Sequence, residues 1–365
     1  MKIILPLIFV FSTAISSAIA QGSFYNDLDS NKRCIELKNE LKTLLNKNAI
    51  EMSYDNVLNF MKDYDLVKIN GENYIWDIYS YNPNGAQPYT YKPGDNCNSE
   101  VSASSEGKCW NREHVFAASW FSNQTPMYTD IVNLLPTDGY VNNKRSNNPF
   151  ARVSNPTFIS KNSSKLGSST LSQVPGTAFE PLDEFKGDVA RILLYMSVRY
   201  ADEFKHWNNA DFTRIKGTDD LDGYKSDYLN MLVQWHHSDP PSKKERDRNE
   251  KIYSRERVRN PFVDYPQLVD YIWESNNCIA TRIPQYEQSY TLVYPLPATD
   301  FIYLKNSTDA HPQTYYISDL SGRQVQKGNL INQNSISISG LSNGVYFLFI
   351  HNGQQDIYSK FIVAH

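Results

Sequence analysis

Cys109-Trp110-Asn111-Arg112-Glu113-His114 and, further along, Asn133-Leu134-Leu135-Pro136-Thr137-Asp138-Gly139-Tyr140-Val141-Asn142-Asn143-Lys144-Arg145-Ser146-Asn147 decide the reading of this chain. The two stretches lie within the reach of one small supersecondary unit. Asp138-Gly139 and Asn148-Pro149 suit the cap and the terminator of a helix between them. Side chains at adjacent strand positions face opposite ways, so Glu113 and His114 can share a site only where a strand bends or ends. Arg145 lies three residues beyond Asn142 and falls on the same helical face.

These residue types suit a defined chemistry. Hydrolysis of a phosphodiester needs a base for the attacking water and positive charge for the phosphate and leaving oxygen. Histidine titrates near neutrality and suits the base, so His114 is its candidate. Glu113 and the amide oxygen of Asn142 are hard oxygen donors for one divalent cation with open positions. Arg145 could clamp the scissile phosphate through two parallel hydrogen bonds. Each signal alone is commonplace; an acid–imidazole pair is usually a surface accident. Their order and spacing together carry the reading.

Around this centre the chain predicts an α+β protein. Leu37, Leu41, Leu44 and Leu45 recur at helical spacing within 29–49, and Val57, Leu58 and Met61 mark a second helix over 56–64. Residues 74–79 read as a strand. Residues 84–108 and 154–180 read as irregular. Val189, Ile192, Leu193, Met196 and Tyr200 predict an amphipathic helix. Helices follow over 228–236, from Pro241 to Asn260, and over 266–273. From about Val293 the character changes to short β-runs punctuated by turns, which predicts a small all-β sandwich over 289–365, after a boundary near 285–292.

The first twenty residues read as an export signal: Lys2, an apolar stretch from Ile3 to Ala14, and Ala18-Ile19-Ala20, with the mature chain starting at Gln21. A membrane anchor is disfavoured because the apolar run is short for a bilayer. The expectation is a secreted protein, reaching the outside through the periplasm without stable membrane insertion, and acting as a monomer. Export permits disulfides. Cys34, Cys97, Cys109 and Cys278 allow three connectivities, of which Cys97–Cys109 with Cys34–Cys278 is favoured. A zinc site is the weaker alternative, since no pair has the close C-x-x-C spacing.

The net charge of −4 argues against tight DNA binding by global charge. From Lys243 to Arg259, eight basic residues stand against four acidic ones. That run reads either as a phosphate-contacting face or, more commonly, as a solvated mixed-charge helix. No H-E-x-x-H occurs, and His236-His237 are adjacent, so a zinc protease is unsupported; the pair reads as structural or as a substrate rim.

Several blocks in this order resemble bacterial endonuclease I, the extracellular non-specific nucleases of the ββα-metal superfamily: WNREHVFAASWF, TDIVNLLPTDGYVNNKRSNNPF, EFKGDVARILLYMSVRY, QWHHSDPP and RNPFVDYP. The resemblance spans roughly Asp29 to Trp273 and implies a mainly helical nuclease domain, taken as 21–288, around a ββα-metal core. It implies a metal-dependent endonuclease acting on DNA, with RNA as a further substrate, and leaving 5′-phosphate ends. It assigns His114 as general base, Glu113 and Asn142 as metal ligands, and Asn133 as a residue orienting His114 or its neighbours. Arg112, Arg145 and Asn147 are assigned to substrate. Mg²⁺ is the expected ion, with Ca²⁺ or Mn²⁺ as substitutes. Ala117 stands where the family often has proline, and Val132 where it often has histidine. The alternative is a secreted nucleic-acid-binding or adhesion protein without catalysis.

The tail, with VYPLPATDFIYL, YYISDLSGRQVQKG and ISGLSNGVYFLFI, resembles the C-terminal sorting domain of type IX secretion, with Leu296 at the place of the usual asparagine. That resemblance implies an encounter with the secretion machinery and release or surface attachment. An accessory carbohydrate-binding sandwich is the alternative.

Overall fold

The computed structural model describes residues 23–29, 31–274, 293–295, 297–304, 313–319, 323–330, 335–351 and 356–365. The expected export signal, Cys278, the linker at 285–292 and Leu296 lie outside the described residues. The chain divides into two compact units, Met1–Ala280 and Thr281–His365.

In the first unit, helix α1 (Cys34–Asn46) buries Leu37, Leu41 and Leu45. Helix α2 (Tyr54–Tyr64) is capped by Ser53, whose side chain accepts from the Asn56 N–H, and buries Val57, Phe60 and Met61. Such a cap contributes about 1 kcal/mol. A hairpin follows, β1 (Leu66–Ile69) with β2 (Glu72–Ile75), turning at Asn70 and Gly71, both in the left-handed region. Only the start of the strand expected over 74–79 forms, because Asp77 accepts from the Tyr79 N–H and turns the chain.

Strand β3 (Trp110–His114) pairs antiparallel with β4 (Leu134–Asp138), from Trp110 opposite Asp138 to His114 opposite Leu134. Helix α3 (Gly139–Arg145) starts directly after β4 and is capped by Asp138, which accepts from the Val141 N–H. The entry to this unit is held by the disulfide Cys97–Cys109. Cys34 is also disulfide-bonded.

The segment read as irregular over 154–180 contains a three-stranded antiparallel sheet: β5 (Val153–Ile159), β6 (Lys165–Ser169) and β7 (Thr177–Glu180). Its first strand is mostly exposed on both faces and carries Pro156. Without one buried face there is no alternation of apolar residues to read.

Helix α4 (Lys186–Arg199) is the centre of the unit, packed against α5 (Ser226–Ser238) and α1. It is not amphipathic as expected: every residue from Gly187 to Arg199 is buried. Its charges are neutralised internally. Arg191 donates to both oxygens of Glu245, and Arg199 donates to Asp130 at 2.8 Å. Glu245 belongs to α6 (Lys243–Glu256), which opens with a capping box between Ser242 and Glu245. The basic run of α6 is largely occupied with structure. Arg248 forks onto Asp65 and also donates to the carbonyls of Ile131 and Leu134, while Lys244 donates to the Tyr64 carbonyl. Beyond it, a single turn at Pro261–Asp264 comes first, and the helix expected over 266–273 forms only from residue 268, running into a π turn at Asp270–Glu274. Among the described residues no helix is long and apolar enough to cross a membrane.

The second unit is all β. One sheet has the order β11 (Gln324–Leu330), β10 (Gln313–Asp319), β13 (Gly344–His351), β14 (Asp356–Val363). The other runs β12 (Ser335–Ser337), β9 (Phe301–Leu304), β8 (Val293–Tyr294). Ile317, Leu348 and Phe361 of the first meet Ile302, Leu304 and Ile336 of the second in one apolar core, the arrangement of a sandwich.

Candidate active site

Strand β3 ends at His114, the position where an acid and an imidazole at successive residues can serve one site. Helix α3 lies along the strand. Its Asn142 Nδ2 donates to Asn111 Oδ1 at 2.8 Å and lies 3.4 Å from the Arg112 carbonyl oxygen. One turn on, Arg145 reaches Glu113 and the carbonyls of His114 and Val115. Through Asn142 and Arg145, helix α3 is thus pinned to the end of the strand that carries Glu113 and His114.

Glu113 is buried. Tyr79 Oη donates to its Oε1 at 2.7 Å and Arg145 Nη1 to the same oxygen at 3.0 Å. Its Oε2 has no hydrogen-bond partner among the described residues. Burial raises the carboxyl above the ordinary carboxylate range, opposed by Arg145 and by the Tyr79 hydrogen bond. The Asn142 amide is oriented by its two donations, so its Oδ1 is the end left for another partner. Two hard oxygens, one from a carboxylate and one from a neutral amide, fit a Mg²⁺-class cation that keeps open positions.

His114 is buried against aromatic rings. It stacks on Tyr128 with centroids 4.9 Å apart, and Tyr54 lies parallel at 6.2 Å. Its Nε2 lies 2.9 Å from the Tyr128 carbonyl oxygen. A carbonyl can only accept, so Nε2 carries the hydrogen and Nδ1 carries the lone pair. Burial pushes the imidazole pKa down to about 4, with the positive charges of Arg145 and Arg112 lowering it further and the Tyr128 carbonyl opposing. The side chain is therefore a neutral base at ordinary pH.

Arg145 departs from its expected role. Its guanidinium is 1 % exposed and donates to Glu113, to the carbonyls of His114 and Val115, and through Nε to the Asn148 carbonyl. A guanidinium so enclosed cannot reach out to clamp a phosphate; it braces the strand end that carries Glu113 and His114. Asn133 is fully buried, and both ends of its amide pair with the Phe116 backbone: Oδ1 accepts from the N–H at 2.7 Å and Nδ2 donates to the carbonyl at 3.0 Å. It positions the segment just past His114. Arg112 is half-buried, donates to the Tyr54 carbonyl and lies with its Cζ 3.5 Å over the Tyr54 ring. Asn147 is half-buried, and its carbonyl accepts from the Trp120 indole.

Sequence reasoning missed Tyr79, Tyr54, Tyr128 and Asn111. Tyr79 lies well before the motif and Tyr128 in the loop between its two stretches, and among 25 tyrosines nothing distinguishes them. Asn111 sits inside the motif, two residues before Glu113 and on the same strand face, which was a signal.

Strands β3 and β4 with helix α3 thus carry the candidate site, on a chain with a second, all-β unit. The endonuclease I family profile matches residues 34–267, and the chain belongs to that family. A secretion system C-terminal sorting domain matches residues 292–364 and accounts for the second unit, placing the protein outside the cell or on its surface through type IX secretion. The chain is 31 % identical over 273 residues to an extracellular ribonuclease of Bacillus amyloliquefaciens, covering 72 % of this chain and 82 % of that protein. It is 33 % identical over 251 residues to an extracellular ribonuclease of Bacillus subtilis (strain 168), covering 65 % and 74 %. The protein is a secreted nuclease, a hydrolase acting on nucleic acid.

Proposed function

We propose that this nuclease hydrolyses internal phosphodiester bonds of both DNA and RNA with one divalent cation, Mg²⁺ in the first place and Mn²⁺ or Ca²⁺ as substitutes. The observation that carries the reading is the pair of donors without hydrogen-bond partners among the described residues, Glu113 Oε2 and Asn142 Oδ1, on the two segments that bracket His114. These two side chains would hold the ion. When bound, it supplies neutralising charge for the phosphate and the leaving oxygen.

The chain's own residues do the rest. His114 Nδ1 takes the proton of the attacking water. The Tyr128 carbonyl fixes the tautomer that makes Nδ1 basic, and ring burial keeps it neutral. Tyr79 and Arg145 hold one oxygen of Glu113 and leave the other directed elsewhere. Arg112, anchored on Tyr54, and the Asn147 side chain are the proposed contacts to substrate phosphate and sugar.

Water is the nucleophile in this scheme, so the 2′-hydroxyl of RNA is not needed and DNA is cut equally. The two relatives named as ribonucleases support the RNA half. The test is digestion of supercoiled plasmid and of RNA with Mg²⁺, Mn²⁺, Ca²⁺ or chelator, with analysis of the ends. Cleavage of both substrates to 5′-phosphate ends, abolished by chelator, is expected. RNA products with 2′,3′-cyclic phosphate ends formed in chelator would overturn the reading. Nucleic-acid binding without turnover in any of the metals would favour a binding protein instead.

A further inference from the structure

A second cluster of metal-ligating side chains stands apart from the nuclease centre. His237 is in the last turn of α5, and Asp270 and Glu274 are four residues apart on the π turn that follows Pro266. His237 Nε2 lies 3.1 Å from Asp270 Oδ1 and 3.4 Å from Glu274 Oε2. One ligand atom from each of the three falls within 4.8 Å of the others.

Two observations separate this cluster from an ordinary surface ion pair. First, Asp270 Oδ1 is a buried atom that has no hydrogen-bond partner among the described residues, although the imidazole nitrogen is 3.1 Å away. The nitrogen is close without the alignment of a hydrogen bond, which leaves the desolvated oxygen short of a partner. Second, the spacing suits a shared ion. Four ligands placed tetrahedrally at about 2.0–2.1 Å from a zinc ion stand about 3.3 Å from one another. The two nitrogen–oxygen separations, 3.1 and 3.4 Å, bracket that figure. The wide π turn contributes by bringing Asp270 and Glu274 to one side, and such turns occur often at functional sites.

We infer that His237, Asp270 and Glu274 form a second metal site, selective for a borderline divalent ion of the Zn²⁺ class, with its fourth position open to water. The imidazole donor sets this preference, since Mg²⁺ and Ca²⁺ favour all-oxygen sites. The side chains are 40–53 % exposed, so the ion has free access. Its mechanical effect is to clip the end of α5 to the π turn near the C-terminal end of the nuclease unit. The inference does not rest on the proposed catalytic ion, which occupies different residues with different donor chemistry.

The test uses the full chain, stripped with chelator and held in excess Mg²⁺, then titrated with Zn²⁺ and, as a spectroscopic probe, Co²⁺. One equivalent of Zn²⁺ should remain after dialysis against Mg²⁺, and Co²⁺ should give the visible absorption of a four-coordinate site. Zn²⁺ at a hundredfold excess over Kd should raise Tm by about 5 °C or more. His237→Ala and Glu274→Gln, both partly exposed positions, should each weaken Zn²⁺ binding at least tenfold and abolish the cobalt band. Glu113→Gln should retain both signals. No Zn²⁺ retention by the unmodified chain overturns the inference. So does retention in both cluster variants, and so does loss in Glu113→Gln, which would locate the ion at the nuclease centre.

Discussion

Arg145 donates to Glu113 across 3.0 Å with both side chains sealed from solvent, and the same guanidinium holds the carbonyls of His114 and Val115. One residue of α3 thereby fixes the height, direction and end of β3. The arginine of the motif is part of the frame of the active site, and the acidic ligand candidate depends on it for its charge balance.

Arg145→Ala should therefore act first on stability. Removing one partner of a buried ion pair costs roughly 3–5 kcal/mol, because the other charge is left uncompensated. Arg145→Lys should recover little, since an ammonium cannot reproduce the fork onto Glu113 and two carbonyls. Denaturant unfolding measures this. A variant of normal stability whose only defect is a raised KM for nucleic acid would restore the phosphate-clamp role.

His114→Ala should lower kcat by about 10²–10⁴-fold with little change in secondary structure. The folded imidazole titrates at about 4, so the base is already neutral well below the ordinary histidine range. The acid limb of kcat/KM should lie near that value, with activity level through pH 6–7. A limb centred near 6.5 in the parent enzyme would mean a different, exposed base.

Asp77 is buried beneath the turn after β2, where it accepts from the Tyr79 N–H and from Ser80. Burial pushes its carboxyl up to about 7, against the opposing hydrogen bonds from Ser80 and Tyr79. The folded state thus holds a proton that the unfolded state, near 3.8, has released, and stability falls as pH rises between those values. The loss by pH 8 is on the order of 2–4 kcal/mol. Asp77→Asn keeps an acceptor for Tyr79 and should flatten this dependence, which a series of thermal melts from pH 5 to 8 would read. An unchanged slope in the variant would show that another group is responsible.

Gly139 opens α3 where the helix passes the disulfide. A Cβ there would come within 2.7 Å of Cys97 Sγ and 2.8 Å of the Ala103 Cβ. Gly139→Ala should cost about 1–3 kcal/mol by overpacking and lower activity by shifting the helix that carries Asn142. Calorimetry of the variant with the disulfide intact checks it; an unaltered Tm would mean that the loop yields freely.

How much of this was legible beforehand depends on the range of the interactions. The cap at Asp138 and the helix behind it were readable because capping is local. The short β-runs of the tail were readable from turn residues and β-formers. The sheet at β5–β7 was not, because its exposed first strand lacks the alternation that burial imprints. Nor was the burial of α4, because Arg191 and Arg199 look like a solvated face until Glu245 and Asp130 arrive from distant segments.

The sequence by itself determined the ingredients of the candidate site: an imidazole, a carboxylate and an amide at spacings that a strand end and a helix can bring together. Tertiary structure decided how each is used. Tyr128 lends the carbonyl that selects the tautomer of His114, Tyr79 occupies one oxygen of Glu113, and enclosure turns Arg145 from a surface cation into an internal brace. Spacing along a chain records only which groups can meet, whereas protonation and hydrogen-bond commitment depend on desolvation and on partners tens of residues away.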